Sequence, residues 1–181
     1  MFEVFRETRQ ALEFGDPCVL ATVIRTKGST PQKPGAKLLV RKDGSGVGTL
    51  GGGCVEGDIW FASKMLLQDG SGSQVKDYFL NEELAARDGL ICGGTMYFLL
   101  DTLWEPKGFL AHTKEIVQAY EGGMPVALAS LVRPSKGSQL SIGAKLLVRQ
   151  DGSTHGSLGD HILEESVAQR AQELMTYGRC D

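Results

Sequence analysis

Cys54 stands in the stretch GVGTLGGGCVEGD, directly after three consecutive glycines and two residues before Glu56. A thiol, a carboxylate and bare backbone amides in so short a span suit a small set of reactions. Gly51, Gly52 and Gly53 would leave the first N–H groups of a following helix uncovered, so that an anion could approach them closely. Cys54 would then occupy the first helical turn, where the macrodipole favours a thiolate. Such a thiolate could act as a nucleophile, ligate a soft metal or hold a sulfur-containing cofactor. Glu56 could hydrogen-bond back to a loop N–H, position a ligand or transfer a proton. The competing reading is a glycine-packed turn around a buried cysteine that behaves as a small hydrophobe.

Gly46, Gly48 and Gly51 also satisfy G-x-G-x-x-G, but the first two fall in a hairpin rather than behind a first parallel strand, so no NAD site is expected. A second glycine-flanked thiol occurs in GLICGGT, where Cys92 precedes Gly93 and Gly94 ahead of an apolar run. Two such thiols suggest convergence on one ligand; the alternative is a strand-entry turn with a buried thiol. The loop RTKGSTPQKPGAK places Arg25, Lys27, Lys33 and Lys37 around Gly28, Ser29, Thr30 and Pro31. Pro31 and Pro34 stiffen it, so it can hold basic and hydroxyl groups over an anionic ligand, or cap a sheet as a solvated loop. Cys18, at the start of a branched apolar run, reads as core. Cys180, at the end, carries no argument. The histidines His112, His155 and His161 have no zinc-binding spacing and read as surface or cap residues.

The elements that must position these groups occur twice. PCVLATVIRTKGSTPQKPGAKLLVRKDGS in the first half faces PVALASLVRPSKGSQLSIGAKLLVRQDGS in the second, with Gly35 and Gly143 placing the copies 108 positions apart. Each copy reads as helix, strand, loop, hairpin and helix. The first helix carries Phe2, Phe5 and Leu12 on one side and stops at Gly15. Asp43 and Gly44 mark the hairpin, and Val55, Ile59, Ala62 and Leu66 line one face of the helix behind Cys54. TMYFLLDTL, between the copies, reads as a further strand. The expected architecture is α+β: two pseudo-repeated helix-strand-hairpin-helix units sharing or packing a mixed β-sheet. Residues 1–105 form the first half and 106–181 a degenerate repeat, in one compact domain. The second copy stops before any counterpart of LICGGTMYFLL, so the chain is either naturally short or a fragment.

Comparison of the copies separates scaffold from candidate function. Gly48 and Gly51 are matched by Gly156 and Gly159 and belong to the shared backbone. Gly46, Gly52, Gly53 and Cys54 face Thr154, Asp160, His161 and Ile162, so the fold can do without them.

Composition narrows the classes of partner. The 41% hydrophobic and 23% charged residues are those of a globular chain. A formal charge of −3 offers nucleic acid no general attraction. No apolar run reaches the length of a bilayer span, and the N-terminus lacks a secretory h-region, so the cytoplasm is the expected compartment. Four scattered cysteines without a Cys-x-x-Cys pair argue against a disulfide scaffold.

KGSTPQKPGAKLLVRKDGSGVGTLGGGCVEGDI followed by GLICGGTMYFLL resembles the XdhC/CoxI family, over roughly residues 15–100. The resemblance implies a maturation factor for xanthine dehydrogenase-type molybdenum hydroxylases, which binds the molybdenum cofactor (molybdopterin), protects it, helps its sulfuration and delivers it into the apoenzyme. The family-like positions are Gly28, Ser29, Thr30, Pro31, Pro34 and Gly35 in the loop, Gly51, Gly52, Gly53, Cys54 and Glu56 in the turn, and Cys92, Gly93 and Gly94. A helix N-terminus for the cofactor's anionic end and the Cys54 thiolate as a molybdenum contact would be sensible partners for that group. Usual members continue into a Rossmann-type domain; here a degenerate second copy takes that place. The implied partners are a molybdenum hydroxylase apoenzyme and a sulfurtransferase, with pseudo-symmetry compatible with a homodimer. On this reading the chain is an accessory protein and not itself a turnover enzyme. A thiol-dependent enzyme acting on a nucleotide-like substrate, or a purely structural interaction module, are the alternatives.

Overall fold

The computed structural model describes residues 1–80, 93–135 and 137–178. The chain divides into two compact units, Met1–Phe109 and Leu110–Asp181. The first opens with α1 (Phe2–Phe14), which buries Val4, Phe5, Thr8, Ala11 and Leu12 and ends on a left-handed Gly15. Then follow β1 (Cys18–Lys27), β2 (Lys37–Arg41), β3 (Gly46–Gly48), α2 (Gly53–Asp69), β4 (Gln74–Phe79) and β5 (Thr95–Leu103). These strands form one sheet in the order β3-β2-β1-β5-β4. Val19, Ala21 and Val23 of β1, Leu38 and Val40 of β2 and Met96, Phe98 and Leu100 of β5 meet Val55, Ile59, Leu66 and Leu67 of α2 in one buried core. The expected apolar face of the helix behind Cys54 is therefore its packing face.

In the second unit α3 (Pro106–Tyr120), which starts just before the division, leads into β6 (Val126–Ser130), β7 (Lys145–Arg149), β8 (Thr154–Ser157) and α4 (His161–Tyr177). Its sheet runs β6-β7-β8, and Leu146, Val148 and Leu158 bury against Ala171 of α4. The α+β class and the repeated order of elements agree with the sequence reading. The mixed, shared sheet does not: every described strand pair is antiparallel, and the strands fall into two separate sheets. The helical crossover α2 joins β3 to β4 at opposite edges of the first sheet. A crossover makes a parallel pair only when it joins neighbours. Strand β4 is also new, since its alternation of polar and apolar residues is too weak to announce it.

The two copies repeat their polar contacts as well as their elements. Arg41 pairs with Glu7 at 2.5 Å in the first, and Arg149 grips Glu115 in a two-pronged pair at 2.6 and 2.7 Å in the second. Asp43 and Asp151 each take the backbone and hydroxyl of the serine two residues on, closing the hairpins.

One exchange changes the physics. Val4 and Val47 become His112 and His155, whose rings lie 4.8 Å apart. His112 is 3% exposed, and burial first, then the neighbouring His155, lowers its pKa below the usual 6.5; Lys145 lowers it further while Glu115 opposes. The unfolded chain therefore takes up this proton before the folded one does. The stabilisation is complete above about pH 6.5 and is lost as pH falls from there toward the folded value. Thermal unfolding of the whole chain should accordingly show a lower melting temperature at pH 5.5 than at 7.5. His112→Val, which restores the residue of the first copy, should flatten that dependence; an unchanged slope would assign the titration elsewhere.

Candidate functional site

Strand β1 ends at Lys27, and the chain turns back through residues 28–36 to reach β2. Backbone bonds from Val23 N–H to Ala36 and from Gly35 N–H to Val23 close the base of this loop. Thr30 Oγ1 donates to the Gln32 carbonyl at 3.0 Å and tightens its tip. Two glycine contacts lock it from either side. A Cβ on Gly51 would stand 2.6 Å from Pro31 Cβ, so the proline ring rests on the glycine backbone. A Cβ on Gly94 would stand 2.6 Å from the Lys27 carbonyl and 2.9 Å from Thr30 Cγ2, and one on Gly28 would meet the backbone of Gly93 and Gly94 at 3.2 Å. Gly28, Ser29, Thr30 and Pro31 thus lie between the Gly51 turn and the Gly93–Gly94 entry to β5. Segments far apart in sequence, each distinctive by itself, are neighbours at one end of the first sheet. Cys92 lies outside the described residues, as does Cys180.

The turn itself is held by Glu56. Its Oε2 accepts from Thr49 Oγ1 at 2.6 Å, from Leu50 N–H at 2.6 Å and from Gly52 N–H at 3.2 Å. Partial burial works against the charge, but these bonds outweigh it and hold the carboxyl below its usual range. Of the three roles open to Glu56 from sequence, this is the bond back to loop amides. Glu164 repeats it with Ser157, Leu158 and Gly159 in the second copy. Glu56 is therefore a positioning residue of the shared scaffold.

Beyond that scaffold the copies diverge at the helix start. Asp160 caps α4 from an extended backbone and accepts from Leu163 N–H at 2.8 Å. Its counterpart Gly52 has φ 73°, a conformation that side chains rarely adopt, and no side chain caps α2. An added Cβ on Gly52 would meet nothing within 4 Å. The space over the turn is open, and Gly53 and Cys54 behind it are exposed. Cys18 is the opposite case: fully buried, with its thiol pushed up to about 12, chiefly by burial. Of these two thiols only Cys54 has the exposure that nucleophilic or ligand chemistry needs.

Asp58 and Tyr78 belong to the same neighbourhood and are absent from the sequence reading. Tyr78 Oη donates to Asp58 Oδ2 at 2.9 Å, joining β4 to α2 one helical turn beyond Cys54. Burial, then Asp58, then the nearby Cys54 push the Tyr78 phenol up to about 12. The weak pattern of β4 hides this pair, although Asp58 at i+4 from Cys54 is legible as sharing its helix face. The loop's basic residues, in contrast, are partly engaged elsewhere. Arg25 lies over the Tyr97 ring, and Lys37 donates to Thr22 at 2.9 Å and lies over Phe5.

The geometry is thus an open, uncapped helix start bearing an exposed thiol, with a hydroxyl-bearing loop fixed beside it. No group of three or more potential metal ligands occurs among the described residues. No described helix is long and apolar enough to cross a membrane.

Known proteins resemble this chain in sequence and fold. The chain is 34% identical over 82 residues to a protein of Bacillus subtilis named as a probable xanthine dehydrogenase subunit, covering 45% of this chain and 23% of that one. It is 30% identical over 73 residues to the molybdenum cofactor insertion chaperone PaoD of Escherichia coli, covering 40% and 23%. A crystal structure described as a xanthine dehydrogenase of Bacillus halodurans superposes with a TM-score of 0.61 at 25% identity, over 83% of this chain and 44% of that chain. The chain thus spans less than a quarter of either curated relative. The family profile matches twice, over residues 11–78 and 119–180, with starts separated by the repeat distance, so the second copy carries the family pattern as well. The chain belongs to the XdhC and CoxI family.

Proposed function

We propose that this chain binds the molybdenum cofactor and serves its insertion into a xanthine dehydrogenase-type molybdenum hydroxylase, acting through the first unit. The observation that carries this reading is the interlock of Pro31 on Gly51 and of Gly94 on residues 27–30, which gathers the family-like segments beside the exposed Cys54. The names of the relatives support the reaction system, a xanthine dehydrogenase component in one case and a cofactor insertion chaperone in the other.

The residues fit the group. When bound, the cofactor would supply a soft metal held in a dithiolene and an anionic end. Cys54 would offer the soft ligand, while the uncapped first turn of α2 and the Ser29 and Thr30 hydroxyls would meet the anion. Gly52 keeps the approach clear because no side chain stands over it. Glu56 holds the turn in the shape that exposes these donors, through the three bonds that its Oε2 accepts. In this reading a sulfurtransferase is the source of the terminal sulfur, and the protein works in the cytoplasm.

Anaerobic titration of the purified chain with free molybdenum cofactor tests this. Wild type should bind stoichiometrically and Cys54→Ser should bind about tenfold or more weakly, the loss of one soft ligand contact. Equal affinity in the two proteins would remove Cys54 from the site. Absence of binding by folded wild type would overturn the cofactor role for this chain.

A further inference from the structure

Gly57 stands inside α2, three residues past Cys54, and nothing in the local structure calls for glycine there. Its backbone is helical rather than left-handed. In a helix interior glycine is less stable than any residue but proline. Packing does not exclude a side chain either, since an added Cβ would meet nothing within 4 Å. The second copy has Glu165 at the equivalent position. What the missing side chain leaves is a floor of bare backbone on an exposed helix face.

Three side chains border that floor. Helical spacing sets Cys54 one turn before Gly57, Phe61 one turn after it and Asp58 beside it. Cys54 and Asp58 are exposed, and Phe61 is 62% exposed. Long helical side chains lean toward the N-terminus, so Phe61 leans back toward Gly57. Asp58 is tied down from outside the helix: Tyr78, which packs against the core, donates to its Oδ2 at 2.9 Å. That bond fixes the carboxylate and leaves Oδ1 without a hydrogen bond among the described residues. The second copy has Ser166 and Gln169 in place of Asp58 and Phe61, so floor, carboxylate and ring are lost together.

A flat heterocycle with two neighbouring N–H donors on one edge suits such a set. The bare floor admits the ring, Phe61 gives it an aromatic contact, and the carboxylate accepts the donors as a pair. Oδ2 can take part beside Oδ1, because a carboxylate oxygen accepts more than one bond. The pterin of the molybdenum cofactor has that edge, a ring N3–H next to a 2-amino group. We propose that Gly57, Asp58 and Phe61 form the pterin subsite of the Cys54 site, with Asp58 receiving the amino edge and Tyr78 as the positioning residue that holds Asp58. The subsite rests on the cofactor reading given under the proposed function. It adds the part of the ligand that neither the thiol nor the helix start engages.

Anaerobic titration of the full chain with free molybdenum cofactor tests the subsite. Asp58→Asn keeps the size but replaces an acceptor with a donor, and should bind roughly tenfold or more weakly. Gly57→Leu should bind as weakly while melting at the same or a higher temperature, because leucine is the better helix former. Loss of affinity without loss of stability separates an obstructed floor from a damaged fold. Competition reads the edge itself: 6-hydroxymethylpterin should displace the cofactor roughly tenfold better than 6-hydroxymethyllumazine, which carries a carbonyl in place of the 2-amino group. Asp58→Asn should erase that preference, and Tyr78→Phe should reduce it. Suppose wild type binds and Cys54→Ser weakens binding, but Asp58→Asn and Gly57→Leu bind as wild type does; the subsite is then overturned and the cofactor reading stands. Equal displacement by the two heterocycles also overturns the subsite alone. Wild type that binds no cofactor overturns both.

Discussion

Gly94→Ala is expected to separate the loop at residues 28–31 from the head of β5 and to destabilise the chain by about 1 to 3 kcal/mol, the range for forcing atoms into a filled site. The added Cβ would overlap the Ser29 carbonyl and stand 2.6 Å from that of Lys27. Both obstacles are backbone, so no rotamer change relieves them. The β1–β5 pairing, which runs to Lys27 opposite Thr95, would have to give way at that end. Urea unfolding gives the stability loss, and cofactor titration should show that binding is lost as well. Gly52→Ala is the comparison. It meets nothing within 4 Å, so its cost is the backbone conformation alone, on the order of 1 to 3 kcal/mol for a region almost exclusive to glycine. Equal stability of Gly94→Ala and wild type would contradict the contact between the loop and β5.

Glu56→Ala should collapse the Gly51–Gly52 turn and cost about 1 to 2 kcal/mol. That figure is three charge-assisted bonds discounted because the carboxylate is only partly sheltered from water. The same loss should appear in wild type on acidification. A depressed carboxyl stabilises the fold above its unfolded value of 4.5, and the contribution disappears as pH falls through the folded value. Glu56→Gln keeps the shape but weakens the acceptor, and should fall between. Glu164→Ala makes the same cut in the second copy. If cofactor binding belongs to the first unit, Glu56→Ala abolishes it and Glu164→Ala leaves it intact. Loss of binding in both variants would show that the turn matters only for folding.

Much of this organisation is legible in the bare chain because repetition supplies an internal control. The shared GAKLLVR and DGS identify the strand and hairpin, and they recur as β2 and β7 with matching burial. Gly51 and Gly159 are both glycine because the backbone there requires φ 111° and 90°. Gly52 against Asp160 then marks where the copies part. The Asp58–Tyr78 pair is not legible in the same way, because it depends on β4, a strand of weak pattern brought beside α2 by the crossover. A mixed sheet is the sequence expectation, and an incorrect one, because strand patterns do not encode which edges a crossover joins.

The sequence alone determined the repeat, the element order, the turn glycines and the identity of the candidate thiol, because each is a local property written in residue type and spacing. Only the tertiary structure decided which of these meet. Pro31 lies on Gly51, and Gly94 fits against Ser29, because side-chain volume is excluded where two backbones approach, and such exclusion acts between residues far apart in the chain. It also decided that Glu56 braces the turn, since an acceptor's partners are set by where the folded backbone points its amides.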